Sequence, residues 1–198
     1  MSRTRGPARR SRCRWLALLG VVLVAWAARP LAPALAAPAQ QAQPLPPALD
    51  LDAVAAQAAA LHRANGGATV NLCYGDLAGQ DLYVVVVYPE LSETVPGPDL
   101  DAARIRQFIA DHLALLSDPR NNVGTWVDDD GNSVLDVSSA LPDRAQAIAL
   151  AQQYNQMGVF DLAQMETIDT GGTGAVPAGL PPVEQRLPPI PAQFAPAP

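Results

Sequence analysis

Helical spacing and strand alternation divide the middle of the chain into short elements. From Leu51 to Ala64, Val54, Ala58 and Leu61 recur on one side, and Asn65-Gly66-Gly67 follows as a stop, which predicts an alanine-rich helix. Ala68 to Tyr74 alternates, with Val70, Leu72 and Tyr74 on one face of a strand. Leu82 to Tyr88 holds four consecutive valines and predicts a central strand covered on both sides. Gly75 to Asp81 is then expected to join these two strands as a hairpin loop. After Pro96-Gly97-Pro98, Asp99 is placed to cap a second helix that reaches Leu116 and ends at Asp118-Pro119. Ile105, Phe108, Ile109, His112 and Leu116 share its inner face.

Val123 to Asp128 and Ser133 to Ser138 flank Asp130-Gly131, a pair that two-residue type I′ turns favour. That turn would set Trp126 opposite Leu135 and Val127 opposite Val134. A third helix is expected from Pro142, with Ala145, Ile148 and Ala149 inward and Asn155 near its end. Val159 to Leu162 reads as a last strand that returns through Met165 to Ile168. Hairpins without regular strand-helix alternation imply an α+β fold. The expected form is a two-layer sandwich, a mostly antiparallel sheet with two or three helices, rather than a doubly wound parallel sheet.

Prolines mark the edges of this region, since they crowd between Pro30 and Pro47 and again between Pro177 and Pro198. The expected organisation is a signal peptide over 1–36, a Pro/Ala/Gln-rich linker over 37–49, the α+β domain over 50–170 and a Pro-rich disordered tail over 171–198. The signal assignment rests on Arg3, Arg5, Arg9, Arg10, Arg12 and Arg14, the uncharged run Trp15 to Ala28, and the small-x-small site Ala34-Leu35-Ala36. The run falls short of the roughly 20 residues that span a bilayer, so cleavage after Ala36 and a secreted, periplasmic or envelope location are expected. A retained N-terminal membrane anchor is the alternative. Arg9-Arg10 lacks the apolar residues that follow a twin-arginine pair, and Cys13 precedes the apolar run, where lipoprotein acylation does not occur.

The formal net charge of the whole chain is −6. Cleavage removes seven of the thirteen basic residues and none of the nineteen acids, leaving a mature chain near −13. Such a chain repels phosphate backbones, which sets nucleic acid aside as a partner. Only Cys73 survives cleavage, so no intramolecular disulfide is available and stability must come from a packed core.

Candidate chemistry is sparse. Asp128, Asp129, Asp130 and Asp136 form the densest acidic group, and Asp128-x-Asp130-x-Asn132 starts like a calcium loop. Ser133 then stands where the sharp turn needs glycine, and Ser139 where the bidentate glutamate belongs. His62 and His112 are the only histidines, too few for a histidine zinc site, and His112 lies on an apolar stripe. Cys73 reads as a small buried hydrophobe and lacks flanking residues that would mark it as a nucleophile. Thr170 to Gly174 reads as a hinge into the tail, and Arg186 to Pro191, RLPPIP, as a spacer with the composition of a polyproline ligand. No catalytic, cofactor or metal residue is therefore assigned. The expectation is an exported non-catalytic module that contacts a protein or envelope component through a sheet face or its proline tails. The alternative is an exported hydrolase using a divalent metal at Asp128, Asp130 and Asp136, or Cys73 as nucleophile.

From Trp126 onward the chain reads WVDDDGNSVLDVSSALPDRAQAIALAQQYNQMGVFDLAQMETIDTGGTG. The succession of Trp126, Leu135 to Ser138, Asp143 to Gln156, Phe160 to Leu162 and Thr170 to Gly172 resembles a group of small uncharacterised bacterial and phage proteins. The resemblance covers about a quarter of the chain. It implies the hairpin-helix-strand arrangement and no activity.

Overall fold

The computed structural model describes residues 49–188. The expected signal peptide over 1–36, most of the expected linker and residues 189–198 lie outside the described residues, as does the expected cleavage site after Ala36. In chain order the elements are α1 (Leu51–Asn65), β1 (Gly67–Asn71), β2 (Gly75–Asp76), β3 (Tyr83–Val86), β4 (Glu93–Val95), α2 (Ala102–Asp111), α3 (Leu113–Leu116), β5 (Asn121–Val127), β6 (Ser133–Leu141), α4 (Arg144–Gln153), β7 (Gly158–Asp161) and β8 (Glu166–Asp169). The strands form one antiparallel sheet in the order β2-β1-β5-β6-β3-β7-β8, with β4 also on β6. The fold is α+β, with helices layered on an antiparallel sheet.

β6 organises that sheet, and all nine of its residues are buried. β5 runs along one side of it from Ser133 to Ser139, while β3 and β4 share the other side. Leu135, Val137 and Leu141 of β6 join Val70, Val85, Val123 and Val159 in one apolar layer under the helices. Ile105, Phe108 and Ile109 of α2, Leu116 of α3 and the alanines of α1 and α4 close it. Each large side chain so buried contributes about 1.5–3 kcal/mol.

Local signals set the helix ends. The Asp50 carboxylate accepts the N–H groups of Asp52 and Ala53 at 3.1 Å, and Gly66, at φ 75°, closes α1 by donating its N–H to His62 O. The buried side of α1 is Ala55, Ala58, Ala59 and His62, one position round from the expected stripe, with Val54 and Leu61 at its margin. Asp101, not Asp99, caps α2 by accepting the Arg104 N–H at 2.7 Å. The expected single helix breaks at His112, so α3 is a separate turn. Asp143 caps α4, whose buried residues are Ala147 and Ala151 in place of Ala145 and Ala149.

Two pairings differ from the sequence expectation. β1 and β3 are not hairpin partners: Asn71 ends β1 by accepting the N–H groups of Cys73 and Tyr74, and the chain turns into the two-residue β2. β3 is instead inserted between β6 and β7. In the β5–β6 hairpin, Asp128 N–H bonds Asn132 O and Gly131 N–H bonds Asp128 O. Three residues, Asp129 to Gly131, thus form the turn, with Gly131 at φ 78°. One extra turn residue slips the register by one, so Trp126 faces Val134 and Val127 faces Ser133. Because side chains alternate across a strand, the slip carries Trp126 to the face away from the helices.

The chain does not leave the domain at Thr170. Asn155, at φ 54°, donates its side-chain amide to Thr173 Oγ1 and Ala175 O and accepts the Thr173 N–H. Leu180, Val183 and Leu187 pack against the main core. Arg186 is 7 % exposed, with its guanidinium on Pro181 O, Val87 O and the Glu90 carboxylate and over the Tyr88 ring. The expected hinge at Thr170 to Gly174 is a docked segment, and the described chain stays packed on the domain through Leu187.

Candidate functional site

Helices on one side leave the other side of the sheet to strand side chains and loops. The pairings Thr69 with Gly124, Gly124 with Asp136, Trp126 with Val134, and Val84 with Phe160 put these residues on the helix-free face. Leu77, Leu82, Ala140 and Leu162 pack over one end of it as a second, smaller apolar cluster. Beside that cluster lies a cleft of about 360 Å³, floored by strand residues and rimmed by Leu61 and Asn65 of α1, Gln156, Met157 and Met165. Its lining is mostly apolar, and Asp76 and Asp136 are its only ionisable members. Trp126, 37 % exposed, is the largest aromatic side chain in it.

Asp136 is the unusual residue of the floor. It is 3 % exposed, yet Oδ1 has no hydrogen-bond partner, while Oδ2 accepts the Trp126 indole N–H at 3.2 Å. Gly124 makes the space: a Cβ at that position would overlap Oδ1. Burial pushes the Asp136 carboxyl up from its ordinary value to about 6, against the Trp126 N–H and, more weakly, the Ser138 hydroxyl. Ser138 Oγ, two residues along the same face, makes no well-formed hydrogen bond of its own. Next to it, Asn71 donates to Asn122 Oδ1 at 2.9 Å and to the carbonyls of Pro119 and Asn121, bracing β1 against β5. The carboxylate is therefore held on a rigid floor and takes up a proton near pH 6. It retains acceptor capacity that no described residue uses.

The other candidates are dispersed. Asp128 spends its carboxylate on its own turn, accepting from the N–H groups of Asp130 and Asn132 and the Asn132 amide. Asp136 lies three positions beyond Ser133 along β6, roughly 10 Å of strand, so the hairpin does not gather Asp128, Asp130 and Asp136. Among the described residues, no group of three or more His, Cys, Asp or Glu side chains is placed to hold a metal ion. Cys73 is half-buried in the β1–β2 turn, outside any strand, and His112 ends α2 with its ring edge-on to Phe108 at 4.5 Å.

His62, rather than His112, is the fully buried histidine. Its Nε2 meets Pro98 O and Ser133 Oγ, both at 3.1 Å, and Nδ1 meets Thr125 Oγ1 at 3.0 Å. A carbonyl only accepts, so Nε2 carries a proton, and Ser133 Oγ, which donates to Gly97 O, accepts from it as well. This is a structural tie between α1, the hairpin and the Pro98 loop.

Compared with known protein families, curated proteins and solved structures, the chain matches none. Among the described residues no helix is long and apolar enough to cross a membrane.

Proposed function

We propose that this is an exported, non-catalytic binding module of the cell envelope or extracellular space, which takes an apolar part of its ligand into the cleft on the helix-free sheet face. The observation that carries the reading is the cleft itself: apolar walls around one buried, under-used carboxylate, at a volume near the lower end of small-molecule sites. Export is supported by the arginine leader, the short apolar run and Ala34-Leu35-Ala36. The lining offers two carboxylates, Asp136 and the half-buried Asp76, but no histidine or cysteine as base or nucleophile, which favours binding over the hydrolase alternative at Asp128, Asp130 and Asp136 or at Cys73.

The test starts from the mature chain beginning at Ala37, incubated with envelope and extracellular extract and followed by mass spectrometry of what stays bound. Thr167, exposed and in the cleft lining, offers a way to fill the site from the edge strand without disturbing the core. Wild type should retain a component that Thr167→Trp does not. Equal retention by the two, or turnover of a small substrate by wild type, overturns the reading. N-terminal sequencing of the exported protein should give Ala37. A start near Met1 with membrane partitioning would make Trp15 to Ala28 an anchor.

A further inference from the structure

Resting on that reading of the cleft, we infer that its ligand is a small molecule carrying an ammonium group on a compact apolar body, with Asp136 as the counter-charge.

The charge of the lining and the unused acceptor on its floor converge on a cation. The two ionisable groups of the lining are both carboxylates, so the cleft disfavours an anion. Asp136 makes one well-formed hydrogen bond, accepting from Trp126, and leaves Oδ1 with none, although a carboxylate can accept about four hydrogen bonds. Among the described residues the lining holds no arginine or histidine to neutralise it. A positively charged N–H donor supplies both missing elements at once, and such charge-assisted bonds are roughly twice as strong as neutral ones. A hydroxyl would supply only the hydrogen bond.

The rest of the lining describes the body of the ligand. Trp126 is fixed by its own N–H on Asp136 Oδ2, so its ring is held beside the carboxylate, where an aromatic face attracts a cation. Phe160, Val84 and Leu162 add apolar floor, and Met157 and Met165, both about half exposed, offer adaptable thioethers at the rim. A volume of about 360 Å³ accommodates one ring or short chain with its ammonium group rather than a folded segment of a partner protein.

Calorimetry on the mature chain at pH 7.5 tests this with 2-phenylethylammonium, the isosteric neutral 2-phenylethanol, 3-phenylpropionate and an acetylated, amidated Phe-Lys-Phe peptide. The ammonium should bind at least about tenfold more tightly than the alcohol, and the carboxylate most weakly. Asp136→Asn should erase the ammonium's advantage while leaving alcohol binding in place. Lowering the pH of wild type to 5, below the carboxyl's titration near 6, should shrink the same advantage, so the inference stays decidable even if the variant fails to fold. Equal binding of ammonium and alcohol by wild type overturns the charge selection and leaves the cleft reading intact. Binding of none of the small probes, with no difference between wild type and Thr167→Trp in extract, removes the cleft reading as well. Binding of the peptide alone overturns the small-molecule ligand and points to a partner's lysine.

Discussion

Gly124 and Asp136 face each other across the β5–β6 ladder, and the Asp136 carboxylate occupies the space where a Cβ on residue 124 would be. Glycine weakens a strand by its flexibility, so its presence in the central ladder reflects the side chain opposite. Gly124→Ala should therefore destabilise the domain by about 1–3 kcal/mol, the usual range for forcing extra volume into a packed site. In an Asp136→Ala background the same substitution should be close to neutral. Urea unfolding of the four proteins in the cycle measures the coupling; equal costs in both backgrounds would mean that Asp136 is not the reason for Gly124.

Asp136 also predicts a pH dependence of stability. Its folded-state pKa is raised from 3.8 to about 6 by burial, so between those values the native state holds a proton that the unfolded chain has released. The contribution is then fully present below about pH 4 and is lost as pH rises through 6. A shift of this size corresponds to roughly 3 kcal/mol at neutral pH. Asp136→Asn should be more stable than wild type by up to about that amount at pH 8, with the difference vanishing near pH 4. Paired urea titrations isolate the effect from the other carboxylates. A wild-type advantage at pH 8 would show that an unseen partner compensates the charge.

His62 ties three segments through one ring. Replacing it by leucine keeps the volume but removes the acceptor of Thr125 and the donor to Pro98 O, while Ser133 keeps its bond to Gly97 O. The expected loss is about 2–4 kcal/mol, the range for disrupting a buried hydrogen-bond network. Hydrogen exchange should show the Pro96 to Asp101 loop opening faster, with the α4–β7 region unchanged. His112→Leu, by comparison, should cost far less, since that ring is only half-buried and makes its edge contact with Phe108.

The parts of the fold legible in the sequence were those fixed by local chemistry. Gly66 closes α1, Ile105, Phe108 and Ile109 mark the inner side of α2, and the return of β7 through Met165 into β8 follows from alternation. Strand order was not legible, because a run such as Val84 to Val87 announces burial on both faces without naming its neighbours. The inner side of α1 was misplaced by one position because alanine marks a helical face weakly; its buried members are small and its one large buried side chain is His62. The site was lost to a single residue in a turn. Read as a two-residue turn, the hairpin puts Trp126 with Leu135 and off the face of Asp136; read as three residues, it brings both to the cleft floor. The signal that favoured the longer turn was Asp128, whose carboxylate can cap a loop two to four residues ahead.

The C-terminal segment shows how proline content can mislead, and it supplies the last prediction. Its prolines exclude regular structure, but Leu180, Val183 and Leu187 are spaced to reach the core, and between them Arg186 is more buried than any other arginine of the described residues that forms an ion pair. A buried guanidinium is costly unless it is paired, and here Pro181 O takes its Nε–H, Val87 O and Glu90 take Nη1, and the Tyr88 ring covers its face. Arg186→Ala should lose about 2–4 kcal/mol, because Val87 O then lacks its side-chain donor and the packing over Tyr88 is gone; Glu90, a third exposed, can turn to water. Arg186→Lys should recover little, since one ammonium cannot reproduce the fork between Pro181 and Val87. Limited proteolysis with a protease of broad specificity should cut residues 171–188 much faster in both variants than in wild type. Unchanged protection in Arg186→Ala would mean that the three apolar side chains alone hold the segment to the domain.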